Sequence, residues 1–310
     1  MKENGLVEGM REYMDLLRKE GRYSSAKSYQ DALNSFIRFN GTERVSFLAV
    51  NKDSLRRYEA YLLGNGCMRN TISTYMRRIR CVYNRAVEEG KAPYIHNLFK
   101  NVFTGVESKR KKALPQEEMY RLMTVRTEEP ALCKAQTALC LMFLYGGMAF
   151  VDFAHLKADN FKEGILDYKR QKTGTPMRIE VLAVARTLSE KLAGMASGSS
   201  GYLYPFLCGT KADEEGYKEY NTALARFNRN LKALARVAGI TSVVTSYTIR
   251  HSFATTLKDL EVSVEMISEL LGHKSITTTQ IYLKSFSLER MTAVNNACFN
   301  SVYNYVQQMG

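Results

Sequence analysis

The sequence has little with which to bind a metal or to staple itself together. Its six cysteines, at positions 67, 81, 133, 140, 208 and 298, include no CxxC pair and lack the close spacing of a secreted disulfide framework. The four histidines are scattered, which leaves no recognisable set of zinc ligands. Reduced, mostly buried thiols in a cytoplasmic protein are therefore expected. Long apolar runs are missing too. The longest, Ala138 to Val151, is interrupted by Gly146 and Gly147 and at about 14 residues is too short to cross a bilayer. It suits a buried helix followed by a turn. The stretch from Met1 to Leu17 has no apolar signal core, which argues against export.

Positive charge, by contrast, is plentiful. Lys+Arg 44 against Asp+Glu 31 gives a net charge of +13, a reason to expect a polyanionic partner, although ribosomal, membrane-surface and DNA-binding proteins share it. The apolar share of 45% and charged share of 24% are those of an ordinary folded protein. A length of 310 residues suggests two domains, each able to bury a core.

The first hundred residues read as helices. Met10, Tyr13, Met14 and Leu17 form one apolar stripe; Tyr29, Ala32, Leu33, Phe36 and Ile37 form another behind a capping Ser24. Leu55, Tyr58 and Leu62 form a third behind Asp53. A fourth follows Asn70, with Ile72, Tyr75, Met76, Ile79, Val82, Tyr83 and Ala86 inward. Arg69, Arg77, Arg78, Arg80 and Arg85 ride on that last helix, several off its apolar face. They are either a solvated face or a surface for phosphates. A basic, aperiodic segment ending at Pro115 follows; its Lys109, Arg110, Lys111 and Lys112 mark an interdomain linker that is merely soluble or touches a DNA backbone.

Beyond it, Gln116 to Thr127 and Ala131 to Leu144 read as helices. Residues 164–172 and 175–182 then alternate apolar and polar around a turn at Thr173, Gly174 and Thr175, the pattern of a β-hairpin with Lys172 at its tip. Ala196 to Gly201 is a flexible loop. A long helix is marked by Ala223, Leu224, Phe227, Leu231, Leu234 and Ala238, with Gly239 as its stop. The tail, with Leu288, Met291, Val294, Phe299, Val302, Tyr303 and Val306, is read as a helix that packs on its own domain or on a neighbouring subunit.

Arg250 to Tyr282 gathers an arginine, two histidines and a tyrosine into an amphipathic helical pattern. Val264, Ile267, Leu270 and Leu271 lie at helical spacing behind Ser263, and Gly272 stands where a left-handed cap belongs, so a helix stops before His273. Ser275 and the apolar Ile276 and Ile281 place Tyr282 on a second short helix. A tyrosine hydroxyl is only about 0.1% ionised at neutral pH, so as a nucleophile it needs a base or a strong electrophile. A phosphodiester gripped by arginine and histidine donors is such an electrophile, because those donors stabilise the charge that develops on phosphate oxygens.

Arg250 and His251, then Leu271, Gly272 and His273, then Thr278 and Tyr282, resemble the tyrosine recombinase (phage integrase) family, in its mobile-element or DNA-inversion branch. The resemblance rests on R-H-x-x-A-T, L-G-H-x-x-I-x-x-T and the tyrosine that follows. It implies a mainly α fold with a small β-hairpin or sheet: a helical SAM-like core-binding domain over residues 1–105, a linker over 106–114 and an α+β catalytic domain over 115–310. It also implies a site-specific recombinase that cuts and rejoins duplex DNA through a 3′-phosphotyrosyl link. Tyr282 would attack, Arg250 and His273 would stabilise charge, Lys172 would protonate the leaving 5′-oxygen, and His251 and Tyr247 would support the phosphate or the nucleophile. Arg69, Arg77, Arg78, Lys109, Arg110, Lys111, Lys112 and Arg170 are the candidate DNA contacts. The link conserves bond energy, so no cofactor and no metal is implied. The expected assembly is a homotetramer on DNA, and a monomer or weak oligomer when free.

The sequence departs from the family at one catalytic position. In the G-[L/M]-R-x-x-E/D pattern, Gly147, Met148 and Asp152 match but Ala149 holds the arginine position, and Gly146 stands where other relatives carry it. Losing such a donor costs on the order of 10²- to 10³-fold, so reduced activity is expected, with Arg170 as a candidate substitute. Tyr247 occupies the H-x-x-R position usually held by histidine. Two alternatives stand beside it: a DNA-binding architectural or regulatory protein that keeps the fold without the chemistry, and a type IB topoisomerase-like enzyme that uses similar phosphate chemistry.

Overall fold

The helical stripes of the first hundred residues become a small bundle in a computed structural model, which describes residues 5–107, 113–195, 201–209, 212–283, 291–297 and 300. The basic linker Lys109 to Lys112, residues 196–200 of the expected loop, and the tail residues Leu288, Phe299, Val302, Tyr303 and Val306 lie outside the described residues. The chain divides into two compact units, residues 1–109 with 211–219, and residues 110–210 with 220–310. Each has its own hydrophobic core.

In the first unit, α1 (Leu6–Lys19), α2 (Tyr23–Asn40), α3 (Lys52–Gly64) and α4 (Arg69–Glu88) bury most of the residues their periodicity picks out, with Tyr13, Ile37 and Tyr75 half-buried at the edge of the core. Met10, Met14, Leu33, Phe36, Tyr58, Met76 and Ile79 are all essentially inaccessible. The buried Tyr58 hydroxyl donates to Ser35 Oγ at 2.9 Å, which satisfies its polar end inside the core. Three helices begin ahead of Ser24, Asp53 and Asn70. Ser24 falls inside the first turn of α2, whose cap is Arg22. Asn51, not Asp53, caps α3 through a reciprocal box with Ser54. Helix α4 begins before Asn70, whose side chain instead exchanges two 2.7 Å bonds with the backbone of Glu107.

The second unit is built around α6 (Pro130–Leu144), which carries the first half of the longest apolar run and is buried on most of its circumference. Helix α5 (Gln116–Thr124), α8 (Ala183–Ala193) and α9 (Glu214–Val237), the last through its residues from 220 on, line the same core. Phe150, on the short α7 (Phe150–Ala154), stacks on Phe227 with ring centroids 4.5 Å apart. The periodicity foresaw neither α7 nor α8, and α9 starts at Glu214, ahead of the first residue of its apolar stripe, Ala223.

The hairpin forms as β2 (Ile165–Lys169) and β3 (Pro176–Glu180), antiparallel with Lys169 opposite Pro176. A two-residue strand, β1 (Phe161–Lys162), adds to the β2 edge, and among the described residues the sheet has three strands. Leu166 and Tyr168 point inward while Asp167 and Lys169 face out, the alternation that the sequence shows. The connecting turn is wider than expected, running from Arg170 to Thr175, and is closed by Arg170 N–H to Thr175 O and Gly174 N–H to Arg170 O. Three helices complete the unit: α10 (Ser246–Asp259), α11 (Val264–Leu270) and α12 (Ile276–Tyr282). Residues 291–297 are also helical, with Met291 and Val294 exposed. No helix among the described residues is long and apolar enough to cross a membrane.

Candidate active site

Helix α10 starts at a capping box between Thr245 and Thr248, and the following turns carry Ile249, Arg250, His251 and Ser252 into the interior. Ser252 Oγ accepts the backbone N–H of Leu114 at 2.9 Å, which fastens the helix to the segment after the linker. Arg250 is 3% exposed. Its Nη1 donates to Gly147 O at 3.0 Å and its Nη2 donates to Leu271 O. A guanidinium gripped by backbone carbonyls has its direction set before any ligand arrives.

The Leu271 carbonyl is available because of how α11 ends. Gly272 is left-handed (φ 60°), its N–H bonds to Glu269 O, and the N–H of His273 bonds to Ser268 O at 2.9 Å. This is the Schellman arrangement, and it turns the Leu271 and Gly272 carbonyls out of the helix. A Cβ at Gly272 would lie 2.6 Å from Met177 Sδ and 2.8 Å from Arg170 Cδ, so the position also needs glycine for space.

The hairpin turn docks on the same two carbonyls. Arg170 Nη1 donates to Leu271 O at 3.0 Å and to Gly272 O at 2.7 Å, and the hydroxyls of Thr173 and Thr175 point at Gly272 O from 3.4 Å. Arg170 is 5% exposed, and its Nε faces Asp152 Oδ2 at 3.8 Å; the other oxygen, Oδ1, accepts the N–H of Gln171 at 2.8 Å. Burial pushes the Asp152 carboxyl up, against the pull of the Gln171 N–H, Arg170 and Arg250. One acid from α7 thus holds the first two residues of the turn that presents Lys172.

His273 closes the cluster. Its Nε2 lies 3.4 Å from Arg250 Nη2, and its Nδ1 lies 2.9 Å from Thr279 Oγ1 on α12. Desolvation, with Arg250, Arg170, Lys172 and His251 nearby, pushes its pKa down to about 4, so the ring is neutral at pH 7. Among the described residues, no group of three or more His, Cys, Asp and Glu side chains is placed to hold a metal ion.

Residues 112–289 match the phage integrase family, and residues 5–101 match the phage integrase SAM-like domain. The chain belongs to the phage integrase family. It is a tyrosine recombinase, a site-specific DNA recombinase, as its relatives are. Tyrosine recombinase XerA of Pyrococcus furiosus is 29% identical over 189 residues, which cover 60% of this chain and 62% of that protein. XerA of Pyrococcus horikoshii is 24% identical over 80% of this chain and 94% of its own. In fold the chain is similar to the lambda integrase of a tetramer bound to a Holliday junction, with a TM-score of 0.68 at 16% identity, covering 91% of this chain and 78% of that one. It is also similar to the XerH recombinase of a post-cleavage complex, with a TM-score of 0.66 at 18% identity, covering 88% and 79%. The mainly α architecture with a small sheet is the integrase fold.

Within the recombinase, the second unit brings Arg250, His273 and Arg170 into one cluster. Lys172 is exposed in the turn, and its charge is among those that act on His273. His251 is buried beside Arg250, and the exposed Tyr247 meets it edge-on with ring centroids 4.3 Å apart, one helical turn earlier. Tyr282 closes α12; its side chain lies outside what the structure describes. Gly146 and Ala149 both flank the cluster without a charged group. Gly146 is left-handed (φ 71°), and a Cβ built on it would lie 3.6 Å from Leu270 O.

Two details were not read from the sequence. Thr278, singled out by spacing, is exposed, whereas Thr279, the residue that the L-G-H-x-x-I-x-x-T pattern counts to, is buried and bonds His273. Arg170, expected on DNA, is bonded to backbone and paired with Asp152. In the first unit, Arg69 lies over the Phe103 ring at 4.5 Å and Arg78 over Tyr29 at 4.9 Å, while Arg77 is exposed and reaches back to Ser73 O.

Proposed function

We propose that Tyr282 attacks a scissile phosphate of duplex DNA to form a 3′-phosphotyrosyl link, which the 5′-hydroxyl of a partner strand then resolves. The phenolic oxygen forms its bond to phosphorus as the bond to the 5′-oxygen breaks. Lys172 gives that oxygen its proton; a lysine suits the task because its long stem brings a proton donor to a groove. His251 and Tyr247 support the phosphate or the nucleophile, and the His251 imidazole takes the phenolic proton. Arg250 and His273 face the non-bridging oxygens, where charge accumulates.

The observation that supports this reading is the 3.4 Å approach of Arg250 Nη2 to His273 Nε2, two groups 23 residues apart that the backbone of Gly147 and Leu271 and the Thr279 hydroxyl hold in place. A guanidinium beside a neutral imidazole offers donors and positive charge to a phosphate oxygen. Burial and the nearby cations hold His273 neutral; an arriving phosphate supplies an anionic partner that offsets both and lets the ring take a proton and donate. Arg170 belongs to the frame of this site, and in this assignment it does not stand in for the missing donor. Residues 1–105 and 115–310 act as two halves of a clamp joined by the basic linker, Arg69, Arg77, Arg78 and Lys109 to Lys112 contact the backbone, and four protomers synapse two sites. Such an enzyme works in the compartment that holds the DNA, in keeping with the expected cytoplasmic location.

The test is a nicked duplex built from repeats that flank the gene. Cleavage should leave a covalent protein–DNA adduct that disappears in Tyr282→Phe. Salt-sensitive binding with no adduct in the unsubstituted protein would replace this reading with the architectural one.

A further inference from the structure

We propose that Thr279 is a positioning residue for His273: its hydroxyl oxygen accepts the Nδ1 proton and so keeps the Nε2 lone pair turned toward Arg250. The inference rests on His273 acting at the phosphate, and its geometric part stands without DNA. Arg250 Nη2, 3.4 Å from Nε2, carries only donors, so a neutral ring must offer its lone pair there. The ring proton then sits on Nδ1, 2.9 Å from Thr279 Oγ1. Thr279 is fully buried, so its hydroxyl is not one that water competes for. The charged and titratable groups acting on the ring are Arg250 and His251 from α10 and Arg170 and Lys172 from the hairpin turn. None is acidic, so nothing in this set favours an early second proton.

The arrangement has a consequence for the reaction. To donate to a phosphate oxygen, Nε2 must gain a proton, taken from solvent as the anion arrives. An imidazolium donates from both nitrogens, so the Nδ1 bond to Thr279 persists through that change and the ring need not rotate. Thr279 also sits on α12, which ends at Tyr282 three residues later. The same hydrogen bond therefore ties the phosphate-facing ring to the helix that carries the nucleophile.

The test uses the full chain labelled with 15N-histidine. Its four histidines are few enough to resolve, and His273 is assigned from the signals lost in His273→Gln. Long-range proton–nitrogen spectra at pH 7 should show His273 as the Nδ1–H form in the unsubstituted protein and in Thr279→Ser, which keeps the hydroxyl. Thr279→Val, which keeps the shape, should shift the ring toward the Nε2–H form. Adduct formation should fall about a hundredfold in Thr279→Val with unchanged DNA affinity, and return in Thr279→Ser. A packing role would track the methyl group instead and spare valine. The proposal is overturned if the unsubstituted protein carries Nε2–H at His273, or if a folded Thr279→Val keeps the Nδ1–H form. Should valine prevent folding, the Nδ1–H form in both other proteins supports the proposal and Nε2–H in either overturns it. Failure to form an adduct in any variant would remove the proposed reaction and leave the spectra to decide the tautomer.

Discussion

Arg170 and Arg250 donate to the same carbonyl oxygen, that of Leu271, one from the hairpin turn and the other from α10. Two cations converge there because the end of α11 presents carbonyls that its own helix cannot use, at the negative end of its dipole. Arg170 also spans Gly272 O and faces the buried Asp152. Arg170→Ala should therefore destabilise the protein by roughly 3–5 kcal/mol, the range for breaking one side of a buried ion pair. Arg170→Lys should recover only part of this, since an ammonium cannot reproduce the planar fork. Urea denaturation measures both, and a loss below about 1 kcal/mol for alanine would show that the turn is held by other contacts.

The depressed His273 gives a pH dependence of defined sign. Its folded pKa is about 4, below the unfolded value of about 6.5. The unfolded chain therefore takes up this proton first as pH falls. Stability should drop through the window from about 6.5 to about 4, with no contribution from this group above it. His273→Gln should flatten that part of the curve when urea midpoints are compared from pH 7.5 to 4. An unchanged slope would mean that His273 titrates normally in the folded protein.

Gly146→Arg tests the missing donor. A side chain started there leaves beside Leu270 O, next to the carbonyl that Arg250 grips, and a Cβ meets nothing closer than 3.6 Å. The left-handed backbone (φ 71°) should cost roughly 1–2 kcal/mol of stability. Adduct formation in a single turnover should nevertheless rise, by up to about 10²- to 10³-fold if the donor reaches the phosphate. A folded variant with no gain would show that no such position is open from residue 146.

The arginines of α4 should separate into two kinds. Arg78 covers the Tyr29 ring and its Nε donates to Ser28 Oγ at 3.1 Å, so Arg78→Ala should cost about 0.5–1 kcal/mol of stability. Arg77 is exposed and makes one long bond to its own helix. Arg77→Ala should leave stability within about 0.5 kcal/mol and reduce the slope of log affinity for DNA against log salt by about 0.9. An unaltered slope would take Arg77 out of the interface.

Much of this was legible in the sequence because it is local. The period of 3.6 in α1 to α4, the alternation in β2 and β3, and glycine after Leu271 each act over a few residues through sterics and burial. So do the motifs that carry Arg250, His273 and Tyr282, whose spacing along the chain was enough to identify the family. The short α7 was not readable, since five residues give too little periodicity to separate it from a turn, and α2, α3 and α4 each begin a residue or two ahead of the polar residue expected to lead them.

Partnership is a different matter, because it depends on which groups meet across the fold. Nothing local distinguishes Arg170 from the other arginines of a basic chain, and although the L-G-H-x-x-I-x-x-T pattern counts to Thr279 rather than Thr278, it does not say which side chain that hydroxyl meets. Arg170 became part of the frame because the hairpin turn reaches the end of α11, where unpaired carbonyls and a buried acid leave a cation more stable inside than in water. Thr279 became the partner of His273 because α12 turns that hydroxyl inward and its neighbour out. Side-chain chemistry and short-range pattern were thus enough to say what kind of enzyme this is; long-range packing, which no window of sequence contains, chose which arginine pairs with Asp152 and which lies beside His273.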